Sequence, residues 1–162
     1  MKKTIIAGLI ISVLSTCFLI PNMKVHYTSD YAERYYNRDL LADVVNDVTL
    51  GNIENPIEIA DDTLLGNFGI NNKMFDTFYG VESSIENSID TFIIVKCKNK
   101  NEKEVANLFN DYRLRISSNN SLRNIDTIDK AIVEQSDEYV IFSMLLNDNN
   151  SEIVSQARNL LP

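Results

Sequence analysis

Apolar positions recur at helical spacing in the first half of the chain. An uncharged run at 4–20, TIIAGLIISVLSTCFLI, predicts a membrane helix about 25 Å long. Turn-forming residues dominate 52–72, so no long element is predicted there. Helices are predicted on either side of it, at 39–49 and 73–80. Their apolar positions are Leu40, Leu41, Val44, Val45 and Val48 in the first, and Met74, Phe75, Phe78 and Tyr79 in the second.

Alternating and β-branched patterns predict three strands in the second half. The clearest is TFIIVKCK at 91–98. AIVEQ (131–135) and EYVIFSMLLN (138–147), separated by a short polar turn, predict a hairpin. In the strand predicted at 91–98, one face is expected to hold Ile93, Val95 and Cys97, and the other Phe92 and Ile94.

Two amphipathic helices accompany these strands. One is predicted over 99–116, with Glu102 and Glu104 in its first turn. The other has Ser151 as its expected cap, and its buried face is predicted to be Ile153, Val154, Ala157, Leu160 and Leu161. The expected fold is therefore α+β: a small, at least partly antiparallel sheet of about three strands. Its helices are expected mainly on one face, after an N-terminal transmembrane helix.

The N-terminal segment determines the expected topology. Lys2 and Lys3 precede the apolar run, so the positive-inside rule places the N-terminus in the cytoplasm and the rest of the chain outside. An uncleaved signal anchor is the favoured interpretation, with 1–24 as the anchor, 25–38 as a tyrosine-rich juxtamembrane join and 39–162 as the extracytoplasmic domain. A cleaved secretory signal is disfavoured because no small-residue cleavage site follows the run.

Cys17 is a candidate lipidation site. The sequence LSTC at 14–17 resembles a bacterial lipobox, so a lipoprotein signal is an alternative to the anchor. Thr16, however, is larger than the residue usual before that cysteine. The chain also continues as Phe18-Leu19-Ile20, where a mature lipoprotein normally has a polar tether. The leading alternatives all export 25–162.

Charge is unevenly distributed along the chain. Three of the 15 basic residues and none of the 23 acidic residues fall in 1–24, so 25–162 has a net charge of −11. Such a domain repels phosphate backbones, which disfavours nucleic acid as a partner. The expected partners are the cytoplasmic membrane, through 4–20, and another envelope protein.

Residues suited to catalysis are sparse. His26 is the chain's one histidine and has no cysteine or acid at ligand spacing, so neither a zinc site nor a nucleophilic triad is predicted. Cys97 is predicted to be a buried apolar residue rather than a reactive thiol. No catalytic residue, metal or cofactor is expected.

Clustered carboxylates leave one enzymatic alternative. Paired carboxylates can hydrolyse glycosides, and this chemistry would suit a cell wall. A solvated acidic face accounts for the same residues, and the first pair could instead cap a helix. The loop at 146–152 offers oxygen ligands but lacks the glycine and the spacing of a calcium loop. The carboxylates concerned are Asp61, Asp62, Asp126, Asp129 and Glu134.

Three segments, within about 61–161, together resemble a known family. They are FGINNKMFDTFYGVE, SIDTFIIVKCKNKNEKEVANLFNDYRLRI and AIVEQSDEYVIFSMLLNDNNSEIVSQARNLL. A strand ending in Lys96-x-Lys98 precedes a helix with a late arginine (Arg113 or Arg115), a hairpin and a C-terminal helix. This order is similar to that of an uncharacterised domain family of Gram-positive cell-envelope lipoproteins and single-pass membrane proteins. The resemblance implies location and domain type and assigns no catalytic residue.

The sequence therefore predicts a membrane-anchored extracytoplasmic protein that is not an enzyme and acts as an interaction or ligand-binding domain of the cell envelope. The alternative is a carboxylate-dependent cell-wall hydrolase.

Overall fold

A five-stranded antiparallel sheet organises the chain. The computed structural model describes residues 21–98, 100–119, 125–146 and 148–162. The strands are ordered β1-β2-β3-β5-β4, and every neighbouring pair is antiparallel. The sheet belongs to the unit 37–162. In chain order the elements are α1 (Pro21–Thr49), β1 (Pro56–Glu58), α2 (Asp61–Phe68), β2 (Phe75–Ser83), β3 (Thr91–Cys97), α3 (Glu102–Asn119), α4 (Ile125–Asp129), β4 (Ile132–Ser136), β5 (Tyr139–Met144) and α5 (Asn150–Leu160).

The central strands β3 and β5 are buried on both faces, and helices cover each side. We call the side that packs on α2, α3 and α4 the α3 face, and the side that packs on α1 and α5 the α1 face. The predicted division of β3 is confirmed: Ile93, Val95 and Cys97 lie on the α3 face, and Phe92 and Ile94 on the α1 face. The α+β class is confirmed. The prediction of helices mainly on one face is wrong, because the near-continuous apolar run of β3 requires cover on both sides.

The sheet has five strands rather than three, and β2 is the long strand that the sequence pattern misrepresents. A register shift between Phe75 and Thr77 marks a β-bulge. Because of the extra residue, Phe75 and Phe78 join the same core on the α3 face although they are three positions apart. A three-residue spacing imitates a helix, so the short helix predicted over 73–80 is wrong. The other missed strand, β1, has only three residues, too few to show alternation.

Helix α2, of eight residues, lies within the turn-rich segment 52–72, where the sequence predicts no long element. Gly66 is inside the helix, and Gly69 ends it in the left-handed conformation with φ of 76°. The N-cap position is held by Ala60, so the expected capping role of the first acidic pair is wrong. Asp61 and Asp62 instead lie in the first turn, where their charge stabilises the helix dipole.

The predicted amphipathic helices are confirmed, with changes at their ends. The helix predicted over 39–49 is the last part of α1, and its Leu41, Val44, Val45 and Val48 are buried. In α5, Ile153, Val154 and Ala157 are buried as predicted, and Leu161 just after it is partly buried. Leu160 is 49% exposed, contrary to prediction, and the N-cap residue is Asn149 rather than Ser151.

The predicted membrane segment 4–20, including Cys17, lies outside the described residues. Of the helices that are described, none is both long and apolar enough to cross a membrane. His26 belongs to the backbone of α1, and its side chain lies outside the described part.

Candidate functional site

Cys97 is inert by its surroundings. It is a free cysteine buried in the core of the α3 face. Burial, aided by the negative charges of Glu102, Asp76 and Glu138, raises the pKa of the thiol to about 12. Because the thiolate is the nucleophilic form, the side chain is unreactive near neutral pH. The interpretation of Cys97 as a buried apolar residue is confirmed.

The carboxylates considered for hydrolysis are spread over the molecule. Asp126 and Asp129 belong to α4 on the α3 face. Glu134 is paired in the sheet with Ile141, which belongs to the α1 face, and Arg158 of α5 binds its Oε1 at 2.8 Å. The fold therefore places Glu134 beside a cation and on the opposite face from the two aspartates of α4. Asp61 and Asp62 are exposed at the start of a different helix, α2.

Glu82 is a partly buried carboxylate that was not identified as a candidate from the sequence. It lies on β2 opposite Thr91 and is half-buried on the α3 face. Burial raises the pKa of Glu82. The pKa of Tyr112 is also raised, mainly by burial and further by the charge of Glu82. A raised carboxyl pKa is a property of general acids, so Glu82 is the residue to substitute in any test for hydrolysis.

The oxygen-rich loop before α5 serves the fold. Lys130 Nζ donates a 2.6 Å hydrogen bond to Asp148 Oδ1, and this bond lowers the pKa of Asp148. The buried Asn150 accepts a hydrogen bond from Ser143 Oγ and donates one of 2.6 Å to the carbonyl oxygen of Lys130. In the described part of the chain, no group of three or more His, Cys, Asp or Glu residues is arranged to hold a metal ion.

Three exposed leucines line two concavities near α1, the end of α5 and the chain after β5. Leu50, Leu146 and Leu160 are 84%, 58% and 49% exposed. A concavity of about 510 Å³ is lined by Leu40, Asp43, Val44, Asn46, Asp47, Leu50 and Leu160. A second, of about 650 Å³, is lined by Gly51, Asn52, Ile53, Glu54, Asp90 and Leu146. They adjoin because Leu50 and Gly51 are consecutive, and we call the lining of both the acidic leucine surface.

Helix α1 supplies one side of this surface through its periodicity. Leu40, Asp43, Asp47 and Leu50 are spaced at i, i+3, i+7 and i+10, which places them along one stripe. At about 100° per residue, Leu40 and Asp47 flank the buried positions of α1, whereas Asp43 lies nearly opposite them on the solvent side. Gly51, with φ of 74°, follows the helix and directs the chain towards β1.

Asp90 supplies the other side by fixing a loop. Its Oδ1 accepts a 2.8 Å hydrogen bond from the backbone N–H of Leu146, and its Oδ2 accepts one of 2.9 Å from Ser88 Oγ. The half-buried carboxylate thereby joins the chain before β3 to the chain after β5 and holds the Leu146 backbone in place.

The sequence did not single out this surface. It assigned Leu160 to a buried face and attached no role to Asp43 or Asp47. The sequence does contain two aspartates one turn apart, between Leu40 of α1 and Leu50 just after it. Helical periodicity alone, however, does not indicate a function for such an arrangement.

The fold and the surface define a class: an α+β domain with a central antiparallel sheet, helical layers on both faces and an exposed acidic and apolar surface. The chain belongs to the DUF4358 family, described as a domain of unknown function, which matches residues 50–145. Comparison with curated proteins and with solved structures gave no match. The expected membership of an uncharacterised domain family is confirmed, and the Gram-positive envelope context stays a prediction.

Proposed function

We propose that this protein is a non-enzymatic interaction domain held at the outer face of the cytoplasmic membrane by an N-terminal anchor. The observation that carries the interaction role is the acidic leucine surface. Single exposed leucines are ordinary, but adjoining concavities that contain Leu50, Leu146 and Leu160 are typical of a contact site. The anchoring role is supported by the uncharged run 4–20 behind Lys2 and Lys3.

The anchor is tested by the intact mass and the N-terminus of the full-length protein extracted from membranes. We expect a chain that retains 4–20, and we expect Cys17→Ser to stay in the membrane fraction as the wild type does. A start at a diacylated Cys17 would establish the lipoprotein alternative. A start beyond residue 20 would establish a cleaved signal.

The interaction role is tested by placing a photo-crosslinking amino acid at Leu50 of the full-length protein in cells. We expect a crosslinked adduct at this position. The matched control position is Leu114, a 62% exposed leucine on α3, where we expect none. Adducts of equal yield at both positions, or none at Leu50, would contradict the proposal.

The hydrolase alternative is tested by incubating the full-length protein with muropeptides. We expect no turnover. Turnover that is abolished by Asp61→Asn, Asp62→Asn or Glu82→Gln would replace the proposed function with carboxylate catalysis. Glu134→Gln is a useful comparison because Glu134 is bound by Arg158.

A further inference from the structure

The carboxylates of the acidic leucine surface, like Glu104 and Asp111 of α3, are in no salt bridge among the described residues. Asp43, Asp47, Glu54 and Asp90 line the surface, and none of the described lysines or arginines does. The salt bridges are found elsewhere, as Arg38–Glu58, Lys96–Glu138, Lys98–Asp76, Lys130–Asp148 and Arg158–Glu134.

The first concavity is shallow and lies along the last three turns of α1. Leu40 and Leu50 lie on the α1 side, and Leu160 contributes from the end of α5. Asp43 and Asp47 stand one turn apart along α1, with a rise of about 6 Å between them. A helix lying along α1 would present its own residues at i and i+4 to the two aspartates, since the spacing is the same on both helices.

The chemistry of the partner follows from the effect of burying these groups. Contact with the leucines removes apolar surface from water and favours binding. The same contact removes water from Asp43 and Asp47, which opposes binding unless a cation replaces the lost hydration. A neutral or acidic partner would meet this penalty without compensation. A basic partner is attracted to the site and oriented by it.

We propose that the acidic leucine surface binds a basic amphipathic helix of a partner protein. Its apolar side chains contact Leu50 and Leu160, and its lysines or arginines pair with Asp43 and Asp47. This inference rests on the proposed interaction function and specifies the partner's chemistry. The family match at 50–145 includes Leu50 but neither α1 nor α5, so Asp43, Asp47 and Leu160 lie outside it.

The test uses full-length protein in a nonionic detergent and a fluorescent peptide of about 14 residues, with leucine and lysine at helical spacing. Two further peptides keep the leucines and replace every lysine by glutamate or by glutamine. Titrations of detergent alone give the reference. We expect the basic peptide to bind at least about tenfold more tightly than the other two, because only it compensates the carboxylates.

Matched variants locate the binding. Asp43→Asn with Asp47→Asn is expected to weaken the basic peptide roughly three- to tenfold, the range for two surface ion pairs. Leu50→Ser is expected to weaken it by about tenfold. The controls are Glu104→Gln with Asp111→Asn, and Leu114→Ser, all at exposed positions of α3, with no more than about a twofold change. A cooperative thermal unfolding transition in each variant shows that it remains folded.

Each other outcome has a definite meaning. Equal binding of all three peptides, lost in Leu50→Ser, would overturn the basic partner and leave an apolar interaction site. Binding that falls equally in the α1 and α3 charge variants would overturn the site, because attraction to overall charge would explain it. Absence of peptide binding would overturn the inference. The proposed function would fail separately, through absence of crosslinking at Leu50 in cells.

Discussion

Gly80 lies in the middle of β2, opposite Ile93, where there is no space for a side chain. A Cβ there would stand 2.9 Å from Ile93 Cγ1 and 3.0 Å from the carbonyl oxygen of Phe92. We expect Gly80→Ala to lower the free energy of unfolding by about 1–3 kcal/mol, measured by urea denaturation. The control is Gly66→Ala within α2, where nothing lies within 4 Å; it should raise this energy by about 0.5–1 kcal/mol. Equal stabilities would contradict the prediction.

Asn150 joins β5 to the chain just before β4 through one buried and one partly buried hydrogen bond. Its loss leaves Ser143 Oγ and the carbonyl oxygen of Lys130 without their partner. We expect Asn150→Ala to lower the free energy of unfolding by about 1–3 kcal/mol. The exposed Ser151→Ala next to it should change this energy by less than about 0.5 kcal/mol. Adding Ser143→Ala to Asn150→Ala should cost less than the sum of the single variants. Strict additivity would mean that the two side chains act independently.

Because the pKa of the Cys97 thiol is raised by folding, the stability of the protein should depend on pH in alkaline solution. Its pKa is about 12 in the folded protein, against an ordinary value of 9.0. Between these values the unfolded thiol loses its proton while the folded one keeps it, so the unfolded state binds fewer protons and stability falls as pH rises. We expect a steeper fall between pH 9 and pH 12 in the wild type than in Cys97→Ala, measured by urea denaturation. Parallel curves would show that the thiol ionises equally in both states.

At the scale of elements, burial of α1 on the sheet is the contact most open to test. Val45 is fully buried in the core of the α1 face, whereas the neighbouring Asn46 is exposed. We expect Val45→Asp to destabilise the protein by more than about 3 kcal/mol, because it buries an unpaired charge. Asn46→Asp introduces the same group one position away and should change stability by less than about 0.5 kcal/mol. In the Val45→Asp variant, amide hydrogen exchange should show that α1 loses protection before the other elements do. Similar protection in the two variants would mean that this face of α1 is not held by burial.

The correctly predicted elements are those in which the spacing of apolar residues along the element reflects which of its side chains are buried. β3, α3, the β4–β5 hairpin and α5 each present apolar residues at the period of a strand or a helix. β2 could not be predicted in this way, because its bulge gives Phe75 and Phe78 a helical spacing within a strand. Similarly, Leu160 is exposed because none of the described elements covers that side of α5. The candidate site is formed by sides of elements that the rest of the described fold leaves uncovered. The spacing of apolar residues within one element does not show which sides these are.

At the scale of the whole molecule, the net charge of −11 over 25–162 means that added salt should stabilise the fold but weaken binding of the basic peptide. Repulsion among carboxylates destabilises the compact state, and at about 0.1 M salt the screening length is only about 10 Å. We expect the melting temperature to rise between about 0.02 M and 0.5 M sodium chloride, while affinity for the basic peptide falls. The rise should be smaller in the variant with both Asp43→Asn and Asp47→Asn. A melting temperature that falls with salt would show that the salt bridges outweigh the repulsion.

The last part of α1, from Leu41 onward, and helix α5 cover one face of the sheet, and this decides where the protein can be divided. The family match at 50–145 stops short of α1 and α5, yet those helices shield Phe92, Ile94 and Ile141 from water. A fragment cut at the family boundaries would keep the sheet and expose a contiguous apolar face, which is a liability for aggregation. The cooperative unit is therefore longer than the segment that identifies it, and expression limits taken from the match alone would cut through its core.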